Sequence, residues 1–207
     1  MTPQKLIHSS KSWVDFVEKI SKFQDKKRGT HFEWFVKFYL LSNPKYRLYY
    51  EKLWHSSEYS KQTEHVSKLK LPIPEQGYDL IGLTKDGYYE IIQCKYKDNI
   101  FKNLVYKDID SSIRVATASP AKNFIKSIKM CSNLQGITRD ENIDSQAVKI
   151  NGIFGGTFEG LNEEDFSNIG KVIDDEIPVF KKIKKKSHQN KAIKLIKKHF
   201  VDDKESR

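Results

Sequence analysis

Apolar residues between positions 10 and 23 recur at helical spacing. Trp13, Phe16, Val17 and Ile20 stand at i, i+3, i+4 and i+7, one face of an amphipathic helix. A charged connector from Lys22 to Arg28 follows. A second stripe of Phe32, Phe35, Val36, Tyr39 and Leu40 predicts a helix from about Thr30 to Leu41. Thr30-His31-Phe32-Glu33 has the spacing of a capping box at its start, and Asn43-Pro44 stops it. Residues 48–54 read as an aromatic strand, and residues 55–76, polar and carrying Pro72 and Pro74, as a loop with room for a short helix.

The clearest strand signal comes next. Tyr78 to Leu83 and Tyr88 to Tyr96 are apolar runs separated by Thr84-Lys85-Asp86-Gly87, and Asp-Gly between such runs marks a hairpin. Residues 108–116 are read as a helix, with Asp108 and Asp110 in its first turn. Residues 120–131, with Phe124, Ile125, Ile128 and Met130, are also read as helical. Residues 147–154 are read as a strand ended by the Gly155-Gly156 loop, and Glu163 to Ile173 is ambiguous. Ala192, Ile193, Ile196 and Phe200 suggest a helix over 187–200. This order predicts an α/β domain with a mixed sheet, because the hairpin supplies an antiparallel pair.

A length of 207 residues suits one domain plus an appendage. The 12 Phe, 10 Tyr and 3 Trp exclude a disordered chain. No run is long and apolar enough to span a bilayer, and Met1 to Ser10 lacks a signal-peptide core, so a cytoplasmic setting is expected. Cys94 and Cys131 are too few to staple a domain of this size, and no Cys/His spacing suggests zinc.

The net charge of +10 changes the picture once it is located. Nine lysines and no acid lie between Lys181 and Lys198, and the remainder holds 28 basic against 27 acidic residues. Such a tract, with Lys181, Lys182, Lys184, Lys185 and Lys186 at its head, suits a polyanion such as DNA. A solvated lysine-rich helix explains it equally well.

Three residues around the hairpin suggest chemistry. Asp79 is an acid inside an otherwise apolar strand, costly unless paired or bound to a cation. Strand periodicity puts Gln93 and Lys95 on one face and Cys94 on the other, and the hairpin brings Asp79 beside them. Asp79, the Gln93 carbonyl and the Cys94 backbone carbonyl form an oxygen set suited to Mg²⁺, with Mn²⁺ as a substitute. Lys95 is placed to orient water or to stabilise charge on phosphorus. Gln93 is neutral, so Glu33, flanking the apolar stripe of its helix, is the candidate for completing the set. Each residue has a plainer reading: Asp79 as an ion-pair partner, Gln93 and Lys95 as a strand's exposed face, Glu33 as part of the capping box. The six histidines show no ligand spacing and are read as structural or exposed, and Asp174-Asp175-Glu176 as an acidic turn.

Taken together, Gly29-x-x-Phe32-Glu33, Gly77-x-Asp79-Leu80 and Gln93-Cys94-Lys95 resemble the Mrr-like branch of the PD-(D/E)XK nucleases. The resemblance extends to the N-terminal nuclease domain of type ISP restriction enzymes and related phage and viral helicase-nucleases. There a Pro-x-Tyr turn (Pro44-Lys45-Tyr46) and a strand ending in Trp (Trp54) follow the Phe-Glu helix. It covers roughly residues 11–110. It implies a restriction-endonuclease-like core, a central mixed sheet flanked by helices, and Mg²⁺-dependent endonuclease activity on DNA, with Asp79, Gln93, Lys95 and Glu33 in the site. In that branch a Gln replaces the motif's acid. Ser187-His188-Gln189-Asn190-Lys191-Ala192-Ile193 resembles the stretch that opens superfamily 2 helicase domains. That resemblance implies a nuclease domain over 1–175, and a basic linker and the start of a helicase motor over 176–207. The chain lacks a Gly-Lys-Thr loop and should not hydrolyse ATP by itself. A dimer on DNA would be needed for two-strand cutting. The rival readings are a catalytically inactive DNA-binding module that keeps the nuclease fold, and an assembly domain docking through the aromatic 46–59 segment.

Overall fold

A computed structural model describes residues 1–180. Its elements, in order, are α1 (Pro3–His8), α2 (Trp13–Ile20), α3 (Asp25–Ser42), α4 (Pro44–Tyr49), β1 (Tyr50–His55), α5 (Ser56–Tyr59), α6 (Thr63–Leu69), β2 (Leu80–Thr84), β3 (Tyr89–Lys95), α7 (Tyr106–Ala118), β4 (Ile125–Ser132), α8 (Glu141–Asp144), β5 (Lys149–Ile153), α9 (Gly155–Glu159) and α10 (Glu163–Ile173). The five strands form one sheet in the order β1-β2-β3-β4-β5. The pairs β1–β2 and β2–β3 are antiparallel, and β3–β4 and β4–β5 are parallel.

Alternation along the strands sorts side chains into two cores. Leu80, Ile92, Cys94, Cys131 and Ile153 meet Phe16, Phe32, Phe35 and Leu40 of α2 and α3 together with Phe158 and Phe166. Ile81, Ile91, Ile128, Met130 and Ile150 meet Leu69, Ile109 and Ile113 on the opposite face. The architecture is thus three layers, helices on both faces of a mixed sheet. Both cysteines are buried and free. Among the described residues no helix is long and apolar enough to cross a membrane.

The structure corrects several boundaries. The helix expected from Thr30 begins five residues earlier, at Asp25, because Arg28 holds the polar first turn by bonding both Asp25 and Asp98. Thr30 is therefore no cap; its hydroxyl donates to the Lys26 carbonyl. Pro44 ends α3 but opens α4, with Asn43 capping that helix. The 55–76 segment holds two short helices, α5 and α6. Residues 120–131 are a short 3₁₀ turn followed by strand β4. An interior strand buried on both faces loses the alternation that would announce it. Gly155 begins a helix, since its N–H donates to the Leu134 carbonyl and a Cβ there would lie 2.7 Å from the Asn133 oxygen. The expected 187–200 helix, the His188-Gln189 stretch and Lys181, Lys182, Lys184, Lys185 and Lys186 lie outside the described residues.

Candidate active site

Asp79 stands one residue before β2, already in the ladder: its N–H donates to the Ile92 carbonyl at 2.9 Å and its carbonyl accepts from Ser56 at 2.8 Å. The hairpin register, Leu80 opposite Ile92, puts Asp79 against the end of β3. Asp79 Oδ2 accepts from the Gln93 side-chain amide, and from the Cys94 backbone N–H at 2.6 Å. Gln93 is buried, and its Oε1 lies 3.4 Å from the Ser112 hydroxyl on α7. Lys95 is half-buried, with no carboxylate in ion-pair range among the described residues. Its backbone carbonyl accepts from Ser132 at 2.6 Å, which fixes the strand end. Asp79, Gln93 and Lys95 are thus brought together.

Glu33 arrives from the other layer, on α3. Its carboxylate accepts from His55 Nε2 at 3.1 Å. The Ser57 N–H donates to His55 Nδ1, so Nδ1 is the acceptor and Nε2 carries the proton. The imidazole also stacks on Trp34 at 4.5 Å and 10°. His55 therefore aims Glu33, a role that spacing along the chain did not suggest. Its one signal lies in pairing, since it is the β1 residue opposite Leu80, next to Asp79. Behind it Glu58 accepts from the His55 N–H at 2.8 Å and from buried Lys37 at 2.6 Å.

The electrostatics follow from this geometry. Asp79 keeps some exposed surface, but its carboxyl is enclosed, and burial pushes its pKa from the ordinary 3.8 to about 7. The Glu33 charge adds to the rise; the Cys94 N–H and Lys95 oppose it. Two carboxylates held near each other in a poorly hydrated place, with one ammonium alongside, form a site short of positive charge. Among the described residues no group of three or more His, Cys, Asp or Glu side chains is arranged to hold a metal. Any cation here would rest on two acids plus neutral oxygens. The acidic turn at Asp174 lies elsewhere, paired with His8 at 3.1 Å. The aromatic 46–59 segment is largely taken up by internal packing, with Tyr50, Leu53, Trp54 and Tyr59 buried.

An antiparallel three-strand meander running into two parallel strands, with helices on both faces, is compatible with a restriction-endonuclease-like fold. The same arrangement occurs in a solved structure described as the ATP-dependent Type ISP restriction-modification enzyme LlaBIII bound to DNA. The match has a TM-score of 0.63 and 21% identity over 93% of this chain. The TM-score establishes a shared fold, and the chain spans 11% of the length of that protein. No family model and no curated protein sequence matches the chain.

Proposed function

We propose that this chain is a metal-dependent DNA endonuclease domain of the PD-(D/E)XK type, Mrr-like branch, belonging to a larger helicase-nuclease. The observation that carries the reading is the convergence of Asp79, Gln93 and Lys95 at the joined ends of β2 and β3, with Glu33 near enough to raise the Asp79 pKa. The similarity to a DNA-bound restriction-modification enzyme supports DNA as the substrate.

The donor set fits a hard divalent cation, Mg²⁺ or Mn²⁺. Asp79 and Glu33 would supply carboxylates. The Cys94 carbonyl would join them, since a strand residue's N–H and C=O lean to one edge and the N–H meets Asp79. Gln93 now turns its amide NH₂ to Asp79. Rotating the amide would present its carbonyl instead, and the Ser112 hydroxyl, able to donate or accept, permits either orientation. When bound, the cation would polarise the phosphoryl oxygen and acidify a water. Lys95, unpaired by any described carboxylate, would donate to an oxygen of the scissile phosphate as charge builds there. His55 would hold Glu33 in place.

Cleavage of supercoiled plasmid in Mg²⁺, Mn²⁺ or EDTA tests the proposal. Nicking or linearisation that needs metal and falls about 100-fold or more in both Asp79→Ala and Lys95→Ala is the expected result. Activity that survives both changes would place the site elsewhere. The second reading, an inactive DNA-binding module, draws on the two donors already occupying Asp79 Oδ2. Folded protein that binds DNA, yet gains no thermal stability from Mg²⁺ or Mn²⁺ and cuts nothing, would establish that reading instead.

A further inference from the structure

The loop between β3 and α7 carries Phe101, the most exposed of the large apolar residues described, at 86%. Ile100 and Val105 on the same loop are exposed as well. A single exposed phenylalanine needs no explanation. This one stands at the tip of a tight turn, where polar residues are usual. Asn99 opens the turn: its side-chain oxygen accepts from the Phe101 N–H at 3.2 Å and its carbonyl from the Lys102 N–H at 3.5 Å. Ile100 and Phe101 therefore hold the two central positions.

The turn is braced on both sides. Before it, Asn133 bonds both the N–H and the carbonyl of Lys97, at 2.8 and 2.6 Å. Arg28 of α3, the helix that carries Glu33, bonds Asp98 at 2.5 Å. After it, Leu104 is fully buried, with its N–H donating to the Gly136 carbonyl and its carbonyl accepting from Thr138, each at 2.8 Å. The fold thus holds Phe101 out into solvent on a fixed support.

Its place in the fold says what covers it. The parallel strands β3 and β4 end side by side at Lys95 and Ser132, and the loop leaves from that end, where Asp79 and Lys95 meet. In open α/β sheets ligands bind outside the carboxyl ends of the strands. A protein seated permanently on this loop would crowd the site, whereas the substrate has to approach it. Lys102 and Lys107 flank the apolar residues, exposed and without a carboxylate partner among the described residues. Apolar tip and free ammonium groups together match DNA, whose phosphates take the lysines and whose base steps take a ring. We propose that Phe101 is a wedge that enters a groove of duplex DNA and opens one base step beside the cut. The inference rests on the nuclease reading for the presence of DNA at this end of the sheet. Six residues separate Lys95 from Phe101, at most about 20 Å of chain, so the opened step lies within about six base pairs of the phosphate that Lys95 faces.

The test uses the full chain in EDTA, at saturating protein, with duplex oligonucleotides carrying 2-aminopurine. Opening of a base step is expected to raise the 2-aminopurine fluorescence. Phe101→Ala, at an exposed position that folding does not need, should abolish the rise and weaken duplex binding roughly tenfold, with the salt dependence of binding unchanged. Phe101→Trp should keep the rise. Lys102→Gln should do the opposite of the alanine change, flattening the salt dependence by about 0.9 and keeping the rise. No rise with the wild type would overturn the proposal, as would Phe101→Ala with wild-type affinity and fluorescence. So would self-association of the DNA-free chain that Phe101→Ala abolishes, since the loop would then be covered by a second copy. Plasmid cleavage in Mg²⁺ or Mn²⁺, measured alongside, separates the two claims. Base-step opening without cleavage sinks the nuclease reading and leaves the wedge, and metal-dependent cleavage without opening does the reverse.

Discussion

Asp79 holds a buried carboxyl whose ionisation the fold resists. Unfolded, it titrates near 3.8; folded, near 7. The folded state binds the proton more tightly, so stability falls as pH rises between about 4 and 7 and levels off above. Asp79→Asn should therefore match the wild type near pH 4 and exceed it at pH 8 by a few kcal/mol, with about 4 kcal/mol as the ceiling. Chemical denaturation at the two pH values reads this directly, and equal stability at pH 8 would mean the carboxyl is better hydrated than its surroundings imply. Because Glu33 is the second cause of the shift, Glu33→Gln should move the steep part of the wild-type curve to lower pH. A bound divalent cation should act in the same direction, since it favours the ionised carboxylate. That gain should vanish in Asp79→Asn.

At the scale of elements, the site depends on how the loop before β2 meets α7. Gly77 has a φ of +77°, and a Cβ there would lie 2.5 Å from the Ser111 carbonyl oxygen. The left-handed backbone and the contact with helix backbone both demand glycine. Gly77→Ala should cost about 2–4 kcal/mol from strain and overpacking together. It should also damage cleavage in protein that still folds, because Gly77 lies two residues from Asp79 and Ser111 is next to Ser112, the neighbour of Gln93. A variant with wild-type denaturation midpoint and wild-type activity would show that the loop adjusts freely. Helix α3 is the other positioning element, since it carries Glu33 toward the site and Arg28 to Asp98 just beyond β3.

For the whole molecule, a buried polar group ties three strands beneath one core. Glu90 of β3, 1% exposed, accepts from the Tyr50 hydroxyl of β1, from Ser127 of β4 at 2.5 Å and from Lys129 of β4. Lys129 also donates to the Tyr50 oxygen at 2.6 Å, and burial beside Glu90 pushes the Tyr50 pKa well up. Every member is satisfied, and removing one strands the others. Lys129→Met should cost about 3–5 kcal/mol by leaving Glu90 charged, buried and without its cation. The double change Glu90→Gln with Lys129→Met should recover much of that loss. A double variant no more stable than the single, in urea unfolding, would contradict an electrostatic origin.

What the amino-acid sequence determined by itself was local. Asp86-Gly87 and the apolar runs on either side announce the hairpin, and the hairpin alone is enough to join Asp79 to Gln93 and Lys95. The stripe of Phe32, Phe35, Val36 and Leu40 likewise announces α3, because one apolar face needs no distant partner to be recognised. Tertiary structure decided the rest. The first turn of α3 carries no apolar stripe and is held by an ion pair to Asp98, seventy positions away. Strand β4 is buried on both faces, so neighbours rather than alternation make it a strand. His55 reaches Glu33, and the Glu33 charge reaches Asp79, only because the β1–β2 pairing and the packing of α3 on the sheet bring them together. Periodicity is written in adjacent residues, whereas the charge balance of a site depends on distances that the packed layers set.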